Sequence, residues 1–206
     1  MTELTRYEWP LDEPSPQLPD MAPLVETQLS SQPAWQGRIL QYRRDEVQLP
    51  NGLIRPRDVI LHPGGVVVAP VLSDGRLIFV RQWRYALGGP LLEFPAGKLD
   101  TLTNGQKEAP DVAVRRELEE ETGYKAATWQ SYGSIVTSPG FCDERLWLYV
   151  ARDLTPVDVR ASEDEEETIQ LIVLTPAQAW QKAAEGELFD AKTLSLLGMA
   201  FPKPKI

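Results

Sequence analysis

Between Pro110 and Gly123 the chain reads PDVAVRRELEEETG, and no other run says as much about the fold. Proline suits the first helical position, because its ring presets φ and its missing N–H is one that a helix leaves unbonded there. Glycine suits the left-handed residue that ends a helix. One helix over Pro110 to Thr122 is therefore predicted, with Ala109 a poor N-cap before it. Side chains advance by about 100° per helical residue, so Glu117, Glu120 and Glu121 share a face while Glu119 points away. Like charges stacked in this way weaken a helix by a few tenths of a kcal/mol per pair unless something opposes them. Two readings stand at this point: a solvated acidic face, or an all-oxygen site for a hard cation such as magnesium or manganese.

The segments around this helix are strand-like. From Gln36 to His62 two alternating runs flank Pro50-Asn51-Gly52, a hairpin signal, and predict a small antiparallel sheet. Val66 to Leu72 and Leu77 to Val80 flank Ser73-Asp74-Gly75 and are expected to form a second hairpin. Leu91 to Phe94, Trp129 to Ile135, Leu146 to Ala151 and Ile169 to Leu174 read as further strands. Thr175-Pro176-Ala177-Gln178 has the form of a capping box and opens a helix towards Gly186, and Asp190 caps a last helix from Ala191 to about Met199. Strands and helices mixed in this order imply an α/β or α+β sandwich with a mixed sheet. Residues 1–35 carry six prolines and no clean period, so an extended arm is expected there. The expected organisation is thus an arm over 1–35, a β-hairpin region over 36–62 and one domain over 63–206.

Charge narrows the partners. A formal charge of −9 repels nucleic-acid backbones and anionic lipid. A small anionic substrate remains compatible, since bound metal and a few arginines invert the field locally. The single cysteine, Cys142, allows no internal disulfide, and with the lone His62 it offers too few ligands for structural zinc. A reducing, cytoplasmic setting is the expectation. No run approaches the roughly eighteen apolar residues of a membrane-spanning helix. His62 precedes Pro63-Gly64-Gly65 and reads as a turn residue, which leaves no histidine for Ser-His or Cys-His catalysis.

Arg116-Glu117, Leu118, Glu119, Glu120-Glu121, Thr122, Gly123 and Tyr124 resemble the second half of the Nudix box. Upstream, seven residues separate Glu108 from Arg116, as the box requires, and Gly97 matches its opening glycine. Ten residues separate Gly97 from Glu108 where the family has five, and the surplus falls in Thr101-Leu102-Thr103-Asn104-Gly105, a polar segment that reads as a longer surface loop. Leu92 to Gly97, Arg81 to Tyr85 and Ser138 to Glu144 resemble the ADP-ribose pyrophosphatase branch, with Pro139 sixteen residues beyond Gly123.

The resemblance implies the Nudix α/β/α sandwich with a mixed sheet, plus a small N-terminal antiparallel sheet. It further implies magnesium-dependent hydrolysis of a nucleoside diphosphate, with ADP-ribose giving AMP and ribose 5-phosphate. By the same resemblance Glu117 and Glu121 bridge magnesium or manganese ions, Glu120 assists and the Ala96 carbonyl completes one site. In the acidic run Glu163 to Glu167, Glu165 falls on the general base and Glu167 on a further metal ligand. Arg84, Arg57, Glu93, Gly140 and Phe141 are the substrate candidates, Arg84 and Arg57 for their forked N–H donors and Glu93 more as a brace. Trp35, Tyr42 and Trp83 are available to stack on a base. Members of the branch are commonly homodimers. Two alternatives stay open: another nucleotide sugar such as GDP-mannose or ADP-glucose, and a non-catalytic nucleotide sensor on the same fold.

Overall fold

The computed structural model describes residues 24–103, 105–157 and 168–203. Its first unit is an antiparallel sheet of β1 (Thr27–Gln36), β2 (Gln41–Gln48) and β3 (Ile54–Leu61), in that order. The β2–β3 hairpin turns at Asn51-Gly52, as the sequence suggests. The proline-rich stretch differs from expectation: its last residues are strand β1, paired with β2 from Thr27 against Gln48 to Gln36 against Gln41, with register shifts at Gln28/Ser30 and Pro33/Trp35. Proline is tolerated there because β1 lies at the edge, where a missing N–H breaks no ladder on its outer side.

Two further sheets form the body. A mixed sheet has the order β7 (Ala96–Lys98), β4 (Gly65–Pro70), β9 (Arg145–Pro156), β8 (Tyr124–Val136), in which β4 runs parallel to β9. An antiparallel sheet has the order β10 (Gln170–Leu174), β5 (Leu77–Arg84), β6 (Gly89–Glu93). The second hairpin expected from the sequence does not form as a strand pair. The turn exists, with Leu72 and Arg76 joined by a 2.8 Å backbone bond, but β4 and β5 meet only at a Val71–Leu77 bridge and then enter different sheets. Each strand is buried along most of its length and takes its neighbours from distant segments, a choice that local turn chemistry does not reveal.

Strand β4 shows why the layers stack as they do. Val66 and Val68 face one way, with Leu99 and with Ala113, Val114 and Leu118 of helix α1 (Pro110–Thr122). Val67 and Ala69 face the other way, into a core shared with Phe79, Phe94, Leu148 and helices α2 (Pro176–Ala184) and α3 (Ala191–Ala200). A two-residue period thus presents both faces of one strand to separate apolar layers. Phe79 and Phe94 stack at 4.4 Å between ring centroids, which ties β5 to the end of β6. Among the described residues no helix is long and apolar enough to cross a membrane.

The ends of the helices agree with their sequence signals. Gly123 adopts φ 73° and donates its N–H to the Glu119 carbonyl, while Ala109 gives no side-chain cap. Thr175 and Gln178 form a reciprocal capping box, and Asp190 accepts the Thr193 N–H.

Candidate active site

Helix α1 brings its carboxylates against β7. Glu117 and Glu121 are buried, and Ala113, Val114 and Leu118 hold the helix on β4. Glu121 Oε2 accepts the Ala96 N–H at 3.0 Å. Glu117 lies across Gly97 so closely that a Cβ built there would stand 1.9 Å from its carboxyl carbon. Only glycine leaves room for that carboxylate.

Arg116 organises the rest. Its guanidinium donates to Glu108 at 2.8 and 3.2 Å, to Glu117 at 2.8 Å, to Glu120 at 3.0 Å and to the Lys98 carbonyl at 3.2 Å. Burial opposes the charge of Arg116, but Glu108 and Glu117 hold its pKa above the ordinary arginine value. The Glu108–Arg116 pair survives the long connection for a simple reason. Thr101 and Lys107 bridge as antiparallel partners, Leu102 N–H bonds to Gln106, and Asp100 and Glu108 join by a 2.8 Å backbone bond. The base of the longer connection is thus closed at Asp100 and Glu108, directly before the helix.

Burial raises Glu117 to about 7, with Arg116 opposing and Glu120 adding. Burial raises Glu121 to about 8, Glu117 adding and the Ala96 N–H opposing. Desolvation disfavours the charged form of each carboxyl, and the pair repel one another. Two acids that resist ionisation, placed together, favour whatever brings positive charge.

Beyond the helix, Arg84 gives Nε to Glu93 Oε1 at 2.7 Å, and Glu93 is wholly buried. The second oxygen of Glu93 is held by Lys192 of α3. The loop 137–144 is fastened to β3: Ile60 N–H donates to the Phe141 carbonyl at 2.7 Å, Asp143 N–H to the Ile60 carbonyl at 3.2 Å and His62 N–H to Asp143 Oδ1 at 2.7 Å. His62 also accepts the Gly64 N–H at 3.0 Å, the turn role expected of it.

A match to the NUDIX domain model spans residues 61–197 of this chain. The chain belongs to the Nudix family. A methanol dehydrogenase activator of Bacillus methanolicus is 38% identical over 169 residues, which cover 82% of this chain and 89% of the relative. An ADP-ribose pyrophosphatase of Bacillus subtilis (strain 168) is 34% identical over 173 residues, covering 84% and 91%. A crystal structure of an ADP compounds hydrolase superposes with a TM-score of 0.73 at 22% identity, over 84% of this chain and 91% of that one, and bears out the fold. The chain is a Nudix pyrophosphohydrolase of the ADP-ribose pyrophosphatase branch.

Nudix hydrolases use divalent metal ions, and the donors here fit one: oxygen ligands only, buried, and pressed into the cradle that Gly97 leaves. The three helix carboxylates are held apart by their partners, however. Among the described residues no three His, Cys, Asp or Glu side chains group closely enough to hold an ion. Arg116 Nη1 lies between Glu117 and Glu120, while Glu121 turns to β7. Like charges part, and each takes a cationic or N–H partner. The Ala96 amide, rather than its carbonyl, makes the contact with the helix.

The substrate candidates divide. Arg84 and Glu93 meet beside the Nudix helix. Arg57 lies on β3 in a two-bond pair with Glu26, at 2.6 and 2.9 Å. Gly140 and exposed Phe141 occupy the loop fastened to β3. Trp35 and Trp83 are exposed, and Tyr42 donates to Asp58 at 2.7 Å. Glu165 and Glu167 lie outside the described residues. Sequence reasoning missed Lys192, ninety-nine residues from its partner Glu93. One local signal pointed to it: a lysine in the first turn of a helix opposes the helix dipole and calls for a nearby anion.

Proposed function

We propose that the chain hydrolyses the diphosphate of ADP-ribose to AMP and ribose 5-phosphate with magnesium, manganese serving in its place. The observation that carries this reading is the buried Glu117–Glu121 pair, cradled at Gly97 beside the Arg84–Glu93 pair. Bound divalent cations supply charge neutralisation of the diphosphate and activation of water. Glu117, Glu121 and Glu120 are the helix ligands, the Ala96 carbonyl and Glu167 the further ones, and Glu165 is the general base. Arg116 keeps the helix carboxylates apart and fixed to Glu108. Arg84 offers a planar, permanently charged group to the phosphates, braced through Nε by Glu93. Gly140 and Phe141 bound the substrate from the loop fastened to β3. Arg57 is the substrate contact contributed by the N-terminal sheet.

The working form is a cytoplasmic homodimer built on that sheet. Its exposed Leu29, Trp35 and Ile54 support this reading, because large apolar side chains grouped on one small sheet favour a covering partner. Incubation with magnesium and a panel of ADP-ribose, ADP-glucose, GDP-mannose, NADH and dinucleoside polyphosphates tests the substrate. Preferred turnover of ADP-ribose to AMP, abolished by Glu121→Gln, is the expected result. Preference for a different member of the panel removes the substrate assignment.

A further inference from the structure

At the start of helix α3, Lys192 and Thr193 reach the end of β6, and Asp190 holds them both. Asp190 Oδ2 accepts the Thr193 N–H at 3.0 Å and lies 2.5 Å from the Thr193 hydroxyl. That buried hydroxyl in turn accepts the Phe94 N–H at 2.8 Å. Lys192 Nζ lies 2.9 Å from the same Asp190 oxygen and pairs with Glu93 Oε2. Glu93 Oε1 receives Arg84 Nε. The result is an alternating chain of charges, Asp190, Lys192, Glu93 and Arg84, and the charges of Glu93 and Arg84 both act on Glu121.

Glu93 has no exposed surface, so each of its oxygens needs a donor from the protein. Lys192 serves one oxygen, and Arg84 Nε serves the other. Without Lys192 the second oxygen is stripped of its partner in a dry position. The least costly relaxation is for the guanidinium to turn and take both oxygens as a fork, the geometry that arginine and carboxylate favour. That turn moves the group that meets the substrate.

We propose that Lys192 is a positioning residue of the active site, which sets the orientation of Arg84 towards the diphosphate by occupying the second oxygen of Glu93. The inference rests on the reading above for its kinetic arm only. Lys192→Met removes the charge and keeps the length, and Lys192→Arg keeps the charge. With ADP-ribose as substrate, Lys192→Met is expected to raise KM about tenfold while kcat stays within about twofold, and Lys192→Arg to recover most of the loss. In an Arg84→Ala background Lys192→Met is expected to change KM by less than about twofold, because the residue it acts through is gone. The second arm needs no substrate: the Arg84 Nε–Hε resonance, assigned by its loss in Arg84→Ala, shifts in Lys192→Met and keeps its position in Lys192→Arg. An unchanged KM in Lys192→Met, an equal KM penalty in both backgrounds, or an unmoved Arg84 resonance overturns the proposal. If the wild type turns over no ADP-ribose, the substrate assignment fails and the resonance alone decides the link.

Discussion

Replacing Gly97 by alanine tests the site where its geometry is tightest. The new Cβ would stand 1.9 Å from the Glu117 carboxyl carbon and from Oε1, and 2.3 Å from Oε2, whereas ordinary contact begins at 3.4 Å. The carboxylate must retreat by about 1.5 Å, and a misplacement of roughly 1 Å in a reacting group costs on the order of a hundredfold in rate. Stability responds far less. The displaced group is the end of a flexible side chain, so we expect a loss near the low end of overpacking costs, about 1 kcal/mol, or roughly 3 °C in Tm for a chain of this size. The assay is kcat/KM for ADP-ribose alongside a melting curve, with Glu117→Gln as reference. Gly97→Ala should fall by about a hundredfold or more, and the double variant should be little worse than Glu117→Gln. A Gly97→Ala enzyme within about threefold of wild type would refute the placement of Glu117.

The remaining predictions concern charge, the helix anchor and the longer connection. With Glu117 raised to about 7 and Glu121 to about 8, the metal-free fold is favoured when both are protonated. Its stability is therefore fully present below the ordinary carboxylate range and is lost as pH rises through about 7 and 8, by a few kcal/mol in all. Melting in chelator should give a lower Tm at pH 8.5 than at pH 5.5, and magnesium should restore more of it at the higher pH. Glu108→Gln should cost about 2 kcal/mol, read as a lowered Tm, because it weakens two charge-assisted hydrogen bonds from Arg116. Replacing residues 101–107 by a tight turn should leave kcat/KM within about twofold, since the Asp100–Glu108 contact already closes the base of that connection; a larger fall would give those residues a role in the site.

The parts of the structure legible in the sequence were those decided by neighbours along the chain. Pro110 and Gly123 bounded α1, Thr175 and Gln178 announced α2, and Asn51-Gly52 announced the β2–β3 turn, because each signal acts within a few residues. Strand partners were another matter. Val66 to Leu72 and Leu77 to Val80 look like a hairpin, yet β4 pairs with β7 and β9 while β5 pairs with β6 and β10, a choice made by burial on both faces. The shared carboxylate face of the helix is legible from spacing, since residues three and four apart share a face, while its reading as a metal site comes from the resemblance of the flanking residues to the Nudix box. Its partners across space were partly hidden: Arg116 between Glu117 and Glu120, the Ala96 N–H on Glu121, Glu26 on Arg57 and Lys192 on Glu93 are all set by packing. The long connection from Gly97 to Glu108 obscured a pair that two short backbone contacts preserve.

The proposed reaction is cleavage of the ADP-ribose diphosphate at the buried Glu117–Glu121 pair on α1. Phosphorus NMR of the reaction mixture tests it most directly. With magnesium present, the two diphosphate resonances of ADP-ribose should disappear together and be replaced in equal amount by those of AMP and ribose 5-phosphate, at a rate that Glu121→Gln abolishes. Persistence of the diphosphate resonances with both magnesium and manganese, or their loss at an undiminished rate in Glu121→Gln, would contradict the account.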